Sequence, residues 1–351
     1  MIKIISNGYG EDLIGSTLLA ALKKEYPTQK YDIFPLVGNG HHYTKQNHTV
    51  AFNNPVFPSG GFIRSTHDLY TDIKAGLLTH TLSQYNTIKK NKPKLTIAIG
   101  DFFCLSISQA GNKGPTMFFP TAKSDTFMPH SALEYWLIKK WATHTYPRDQ
   151  LTTTSFQKKS IPASYFGNPM MDNLTTTETI PTLDPTKPII GILPGSREEA
   201  YTNFESICNF IKKFPLSSHQ YVVAKAPSLS KDKLLDIKKD LPIQISDQFL
   251  SILNQSNVII GLAGTANEQA VFLNKSVICF EGTGPQTSKK RFEEQEKLLG
   301  KKLHFIRNAT AERICTKIEI LLKEESLSTE VNTNQEAATQ IARHIKEICP
   351  L

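Results

Sequence analysis

The five cysteines of this 351-residue chain, Cys104, Cys208, Cys279, Cys315 and Cys349, are scattered, odd in number and without a Cys-x-x-Cys pair. That spacing argues against a disulfide framework or a zinc site and suits a reducing compartment. Long apolar runs are missing too: no stretch approaches the roughly eighteen apolar residues of a membrane span. The apolar start, residues 1–6, is too short for a signal peptide, and Glu11 and Asp12 follow it. The chain is therefore expected in the cytoplasm. No zinc finger or aromatic RNA-recognition motif accompanies its lysines, so nucleic acid is not an expected partner. The ten histidines form no ligand-like grouping with carboxylates, and His41-His42 sits in a polar loop, so no metal site is expected.

What is present is the composition of a soluble enzyme, 39% hydrophobic and 21% charged, with 40 Lys and Arg against 32 Asp and Glu for a net charge of +8. The excess could meet an anionic bilayer or a phosphorylated substrate. Much of it lies in the pairs Lys23-Lys24, Lys212-Lys213 and Lys238-Lys239, near the ends of predicted helices, where it complements the helix dipole.

The length suits two domains. Short apolar runs alternate with amphipathic ones, the pattern of a parallel sheet covered by helices, so the fold class is α/β. Strands are predicted at 2–6, 31–37, 95–99, 116–119, 143–146 and 164–166, with helices at 12–25 and 69–90. The threonine-rich stretch 175–187, which carries Pro181 and Pro185, reads as a linker. Strands resume at 189–193, 220–224, 257–261 and 276–280; residues 326–334 are polar and 335–348 form a last helix. The predicted domains are 1–170 and 171–334, with the terminal helix, 335–351, available to return to the first.

Three strand–turn–helix junctions could hold phosphate. In Leu193-Pro194-Gly195-Ser196-Arg197, Gly195 lets the backbone approach a ligand, Ser196 can donate its hydroxyl and Arg197 offers a forked cation. A helix N-terminus contributes about 0.3–2 kcal/mol to anion binding, whereas micromolar nucleotide binding needs about 8 kcal/mol, so base, ribose and Arg197 contacts must supply most of it. In Gly261-Leu262-Ala263-Gly264-Thr265-Ala266-Asn267-Glu268, the glycines open space above a strand end. Thr265 could cap the helix or face phosphate; Glu268 could accept ribose hydroxyls or close a capping box with Thr265. The turn Asn7-Gly8-Tyr9-Gly10-Glu11-Asp12 falls short of a full dinucleotide fingerprint, because Leu13 stands where a third glycine belongs. Its backbone donors could hold a second substrate or a diphosphate, and Asp12 could instead cap the helix.

A general base has two candidates. Asp101, in Ile99-Gly100-Asp101-Phe102, ends a buried strand among apolar side chains that would raise its pKa, although an aspartate there could equally be a helix N-cap. Glu11 is the rival.

Six motifs in order carry a resemblance: Asn7-Gly8-Tyr9-Gly10-Glu11-Asp12-Leu13-Ile14, Pro58-Ser59-Gly60-Gly61-Phe62, Gly167-Asn168-Pro169-Met170-Met171-Asp172, Leu193-Pro194-Gly195-Ser196-Arg197, Gly264-Thr265-Ala266-Asn267-Glu268-Gln269-Ala270 and Gly282-Thr283-Gly284-Pro285-Gln286. Over roughly residues 1–325 the chain resembles the lipid-A-disaccharide-synthase-related proteins. The resemblance implies a GT-B architecture, two Rossmann-like domains with parallel sheets facing an interdomain cleft. It implies an inverting, metal-independent glycosyltransferase without cofactor, moving a GlcNAc-type sugar from a UDP-sugar to a lipid or lipid-linked acceptor. The position of Asp101 resembles that of the family's catalytic aspartate. Donor contacts would fall on Gly195, Ser196, Arg197, Gly264, Thr265, Glu268, Gln269 and Gln286, and acceptor or diphosphate contacts on Asn7, Gly8, Gly10, Ser59, Gly60 and Gly61. The synthase proper has Gly-Glu-x-Ser-Gly-Asp in its first turn and Gly-His-Pro at the domain junction. This chain departs from it on the acceptor side. The loop 57–64 reads as an acceptor region whose aromatics could meet an acyl chain. Phe127-Met128 and 135–141 mix apolar rings with lysines, as surfaces in peripheral contact with the inner face of a membrane do. Core packing is nevertheless the preferred reading of that stripe, and a homodimer is a further expectation. Two other readings fit the same residues: a UDP-sugar epimerase or hydrolase, and a nucleotide-sugar-binding protein without turnover.

Overall fold

The computed structural model describes residues 1–52, 54–55, 66–90, 92–112, 114–125, 128–213, 218–284, 287–325 and 336–351. They form two compact units: Met1–Asp172 with the C-terminal segment, and a second unit beginning at Asn173.

In the first unit, β1 (Ile2–Ser6), β2 (Tyr31–Pro35), β3 (Leu95–Gly100), β4 (Thr116–Pro120) and β5 (His144–Thr145) form one parallel sheet in the order β2-β1-β3-β4-β5. Ile4 pairs with Ile33 on one side and Ile97 on the other. β1, β3 and β4 are buried along their whole length, so they read as mainly apolar rather than alternating runs, with a few buried polar residues such as Lys3, whose ammonium donates to the Ile88 carbonyl at 2.6 Å. The helices between them are α1 (Tyr9–Glu25), α2 (His41–Thr44), α3 (Thr66–Lys74), α4 (Leu77–Lys90), α5 (Phe102–Ser108), α6 (Ala132–Trp141) and α7 (Gln150–Lys158). α1 begins three residues earlier than the apolar spacing suggested. Asp12 therefore lies inside the helix and does not cap it; its carboxylate instead accepts the Ser6 hydroxyl at 2.6 Å. The single helix predicted over 69–90 is two helices, interrupted at Ala75-Gly76. The strand predicted at 164–166 is absent. β5 ends at Thr145, and only Ala163 bridges to it, so no partner edge remains for the residues that follow.

In the second unit, β6 (Ile189–Leu193), β7 (Gln220–Ala224), β8 (Ile243–Ser246), β9 (Val258–Gly261), β10 (Ser276–Phe280) and β11 (Leu303–Ile306) form a parallel sheet in the order β11-β10-β9-β6-β7-β8. Its helices are α8 (Glu199–Lys212), α9 (Lys231–Lys238), α10 (Phe249–Gln255), α11 (Thr265–Phe272), α12 (Lys289–Leu299) and α13 (Ala311–Glu325). β8 and β11 are short, partly exposed edge strands, and so leave no continuous apolar run in the sequence. The threonine-rich stretch is not a free linker. Gln255 accepts the Ile180 N–H, Gln220 accepts that of Asp184, and the Thr182 hydroxyl donates to Gln244, so side chains of the sheet and of α10 strap it down.

The last helix, α14 (Ala337–Ile348), belongs to the first unit. Ala337, Ala338, Ile341, Ala342 and Ile345 make one buried face, and α14 lies against α1. Its first turn has no cap of its own. Asp172 supplies one from 165 residues away, accepting the Ala337 and Ala338 N–H groups at 3.1 and 2.8 Å. At the other end the Tyr26 hydroxyl donates to the Cys349 carbonyl at 2.7 Å.

Candidate functional site

In open parallel sheets, ligands bind beyond the carboxyl ends of the strands where the strand order reverses. In the first unit that point lies between β1 and β3, and the residues following those two strands meet there. Asn7 donates its side-chain amide to Asp101 Oδ1 at 2.7 Å. The approach depends on Gly100, which sits at φ +150° and where any Cβ would collide with the Asn7 amide.

Asp101 is the N-cap of α5, and its Oδ1 also accepts the Cys104 N–H at 3.0 Å. Both bonds fall on the same oxygen; among the described residues Oδ2 has no hydrogen-bond partner. Glu11, the other candidate, is the carboxyl that burial acts on. Burial pushes the Glu11 carboxyl above the usual carboxylate range, and the Asp101 charge adds to the effect, against the Thr121 hydroxyl and Arg148. Thr121 donates to Glu11 Oε1 at 2.9 Å, and the Arg148 guanidinium holds the Thr121 carbonyl at 3.1 Å. Gly8 is the N-cap of α1 and Gly10 lies in its first turn, with Glu11 between the helix start and the end of β4. Beneath them, Ser6 links Asp12 to the Tyr43 hydroxyl at 3.1 Å, and burial lifts the Asp12 carboxyl to about 7.

A small cavity opens beside this cluster, bounded by Thr121, Tyr146, Arg148, Phe166 and Asn168. Thr121 and Arg148 escape sequence reasoning because β4 and the residues after β5 bring them to Glu11 across more than a hundred positions. Ser59, Gly60 and Gly61 lie outside the described residues.

In the second unit the order reverses between β6 and β9. Gly195, after β6, has φ +113°, and a Cβ there would stand 3.3 Å from the Leu262 carbonyl, after β9. Gly195 therefore satisfies two constraints together, the backbone angle and the narrow gap between the two turns. Ser196 accepts the Ser228 hydroxyl on its carbonyl at 2.6 Å, and Arg197 follows, just ahead of α8.

Buried amides hold the neighbouring loops. Asn203, on the inner face of α8, donates to the Pro194 and Thr283 carbonyls at 3.3 and 3.2 Å and accepts the Thr283 N–H at 2.8 Å. Asn267 donates to the Gly261 carbonyl at 3.1 Å, and Gln295 reaches the Ala263 and Gly264 carbonyls at 3.4 Å. A polar residue on a buried helix face is the sequence signal that could have revealed Asn203. The N-cap of α11 is Gly264, with no side-chain cap, so Thr265 and Glu268 form no capping box. Thr265 is the first residue of the helix, and Glu268 and Gln269 are buried one turn in. The sheet order thus brings Gly195, Ser196, Arg197, Gly264, Thr265 and Glu268 to one end of the unit; Gln286 lies outside the described residues. Among the described residues no three His, Cys, Asp or Glu side chains cluster so as to hold a metal ion.

No family model matches the chain. In sequence it is 21% identical over 297 residues to the lipid-A-disaccharide synthase of Coxiella burnetii, covering 82% of this chain and 76% of that protein. In structure it is similar over 99% of its length to three solved proteins. They are a UDP-GlcNAc 2-epimerase from Neisseria meningitidis bound to UDP-GlcNAc (15% identity, TM-score 0.63, 98% of that chain), MnaA of S. aureus with UDP (13%, 0.66, 96%) and MurG of Acinetobacter baumannii (11%, 0.55, 99%). The fold is GT-B, and in sequence the chain is distantly related to a GT-B glycosyltransferase.

Proposed function

We propose that the chain is an inverting, metal-independent glycosyltransferase that moves a GlcNAc-type sugar from a UDP-sugar to a lipid or lipid-linked acceptor, akin to the lipid-A-disaccharide-synthase-related proteins. The observation that carries the proposal is the Asp101 carboxylate, fixed through Oδ1 by Asn7 and the Cys104 N–H while Oδ2 has no partner among the described residues. That arrangement suits a general base, with one oxygen oriented and the other open to a proton.

In the proposed reaction Asp101 takes the acceptor hydroxyl proton and the acceptor oxygen attacks the anomeric carbon. The bond from that carbon to the UDP oxygen breaks, and the electron pair leaves on UDP. Ser196, Arg197, Thr265 and the backbone at Gly195 and Gly264 stabilise the departing diphosphate; preorganised donors of this kind contribute several kcal/mol. Glu268 takes the ribose hydroxyls, with Gln269 beside the donor, as Gln286 would be. Glu11, held by Thr121, is the alternative base. Asn7, Gly8 and Gly10 line the acceptor side, as Ser59, Gly60 and Gly61 would.

A second reading, epimerisation or hydrolysis of the UDP-sugar without an acceptor, is favoured by the likeness to UDP-GlcNAc 2-epimerases. Two experiments divide the readings. Titration calorimetry with UDP and UDP-GlcNAc, with and without magnesium, should give metal-independent binding of both. NMR of UDP-GlcNAc incubated with the protein alone should then show an unchanged sugar. Inversion at C2, or free sugar, in the absence of acceptor would discard the transferase. No binding of either nucleotide would discard both readings.

A further inference from the structure

α12 is rich in Lys and Glu, and the two residues it buries are Phe292 and Gln295. An apolar side chain would fill the Gln295 position with no polar group to satisfy, so a carboxamide that is only 1% exposed there has to be explained by what it bonds. Its Nε2 donates to the Ala263 and Gly264 carbonyls, each at 3.4 Å, and its Oε1 accepts the Asn267 amide, also at 3.4 Å. Asn267, wholly buried on α11, donates in addition to the Gly261 carbonyl at 3.1 Å. Its Oδ1 has no hydrogen-bond partner among the described residues, and it presses so closely on Gly261 that a Cβ there would collide with it. Turning the amide over would set that oxygen against the Gly261 carbonyl and forfeit both bonds of Nδ2, so the unsatisfied oxygen is the smaller loss. The Asn267 amide in turn fixes which end of Gln295 faces the turn after β9.

Two carboxamides from two helices thus grip three carbonyls of one turn, those of Gly261, Ala263 and Gly264. In a trans peptide the C=O and the following N–H point in opposite directions. The first of the three peptides shows the consequence. With the Gly261 carbonyl held by Asn267, the Leu262 N–H points across to the Leu193 carbonyl at the end of β6, at 2.8 Å. By the same rule, drawing the Ala263 and Gly264 carbonyls towards α12 turns the N–H groups of Gly264 and Thr265 away from it. Among the described residues neither of these N–H groups has a hydrogen-bond partner, and both residues are partly exposed at the carboxyl end of β9.

We infer that Gln295 is a positioning residue of the donor site, which aims the Gly264 and Thr265 N–H groups at the diphosphate through the carbonyls it holds. The inference rests on the donor reading above. It deepens that reading by assigning phosphate recognition at this turn to peptide orientation, set by a side chain that touches no substrate. Without the Gln295 amide the two carbonyls lose their partner and are free to turn towards the phosphate, where their negative ends repel it.

The test compares UDP with uridine, which lacks the phosphates. Gln295→Met keeps the length of the side chain and removes its donor. By calorimetry it should lose about tenfold in UDP affinity, while uridine affinity, read by NMR titration, stays at the wild-type value. A fall of both ligands together would make Gln295 a packing residue, and no change in either would show that it orients nothing; each result overturns the inference. A second measurement uses the wild type and does not depend on how the variant folds. In protein carrying isotope-labelled glycine, UDP should move the Gly264 amide resonance downfield and uridine should leave it in place. The peak is identified by its loss in Gly264→Ala. A Gly264 resonance indifferent to bound UDP would also overturn the inference. Absence of UDP binding by the wild type would discard the donor reading itself, whereas the outcomes above discard the role of Gln295 alone.

Discussion

The Asn7 side-chain amide reaches Asp101 Oδ1 at 2.7 Å, joining the loop after β1 to the loop after β3 across ninety-four residues. The contact holds the candidate base by a second bond besides that of the Cys104 N–H, and it ties the glycine-rich first turn to that carboxylate.

If Asp101 is the base, Asp101→Asn lowers kcat by about 10²–10⁴-fold and leaves UDP affinity intact. Asn7→Ala keeps the carboxylate but frees it to rotate, so its loss in kcat is smaller, about tenfold for each 1.4 kcal/mol of lost orientation. Steady-state rates and UDP calorimetry on both variants check this. A near-normal kcat in Asp101→Asn transfers the role to Glu11.

The buried Asp12 gives a pH dependence of stability. Its carboxyl titrates near 7 in the fold against 3.8 ordinarily, because burial penalises the charged form. Between these values the native state binds more protons than the unfolded chain, so this group's contribution is whole below about 4 and is lost as pH rises through 7. Asp12→Asn should therefore raise Tm at pH 8, by about 2–4 °C for each kcal/mol recovered, and change little at pH 4. Thermal melts at the two pH values decide it; an equal shift at both would refute the assignment.

Gly195 faces both a left-handed backbone angle and a carbonyl 3.3 Å from any Cβ. Gly195→Val should cost about 1–3 kcal/mol of stability from the backbone angle alone. It should also weaken UDP binding by displacing Ser196 and Arg197. Denaturant midpoints and calorimetry separate the two effects.

Glu268 is buried in α11 without a capping role. Glu268→Ala should reduce UDP affinity by about tenfold, or roughly 1.4 kcal/mol, since the loss of a charged acceptor for ribose hydroxyls lies in that range. Unchanged affinity would remove the ribose assignment.

The position of Asn203 supports a test of loop architecture. Its amide serves the Pro194 carbonyl and both polar groups of the Thr283 backbone from inside α8. Asn203→Leu strands these groups and should cost about 1–3 kcal/mol in chemical denaturation.

The sequence by itself determined the α/β class, the interior strands, and the turns after β1, β3, β6 and β9. A strand buried on both faces is mainly apolar, and a chain turning closely over a strand end favours glycine. It missed β8 and β11, because a short edge strand exposed on one side carries no such run. It joined α3 to α4, since the periodicity continues across Gly76 although the backbone does not. The burial that raises the Glu11 carboxyl, with Thr121 bonded to it across 110 residues, was decided by packing. The cap that Asp172 gives α14, the Asn7–Asp101 bond and the hold of Asn203 on Thr283 were decided by tertiary structure alone. Each joins groups separated by dozens of residues or more, and local propensity and periodicity carry no information over that distance.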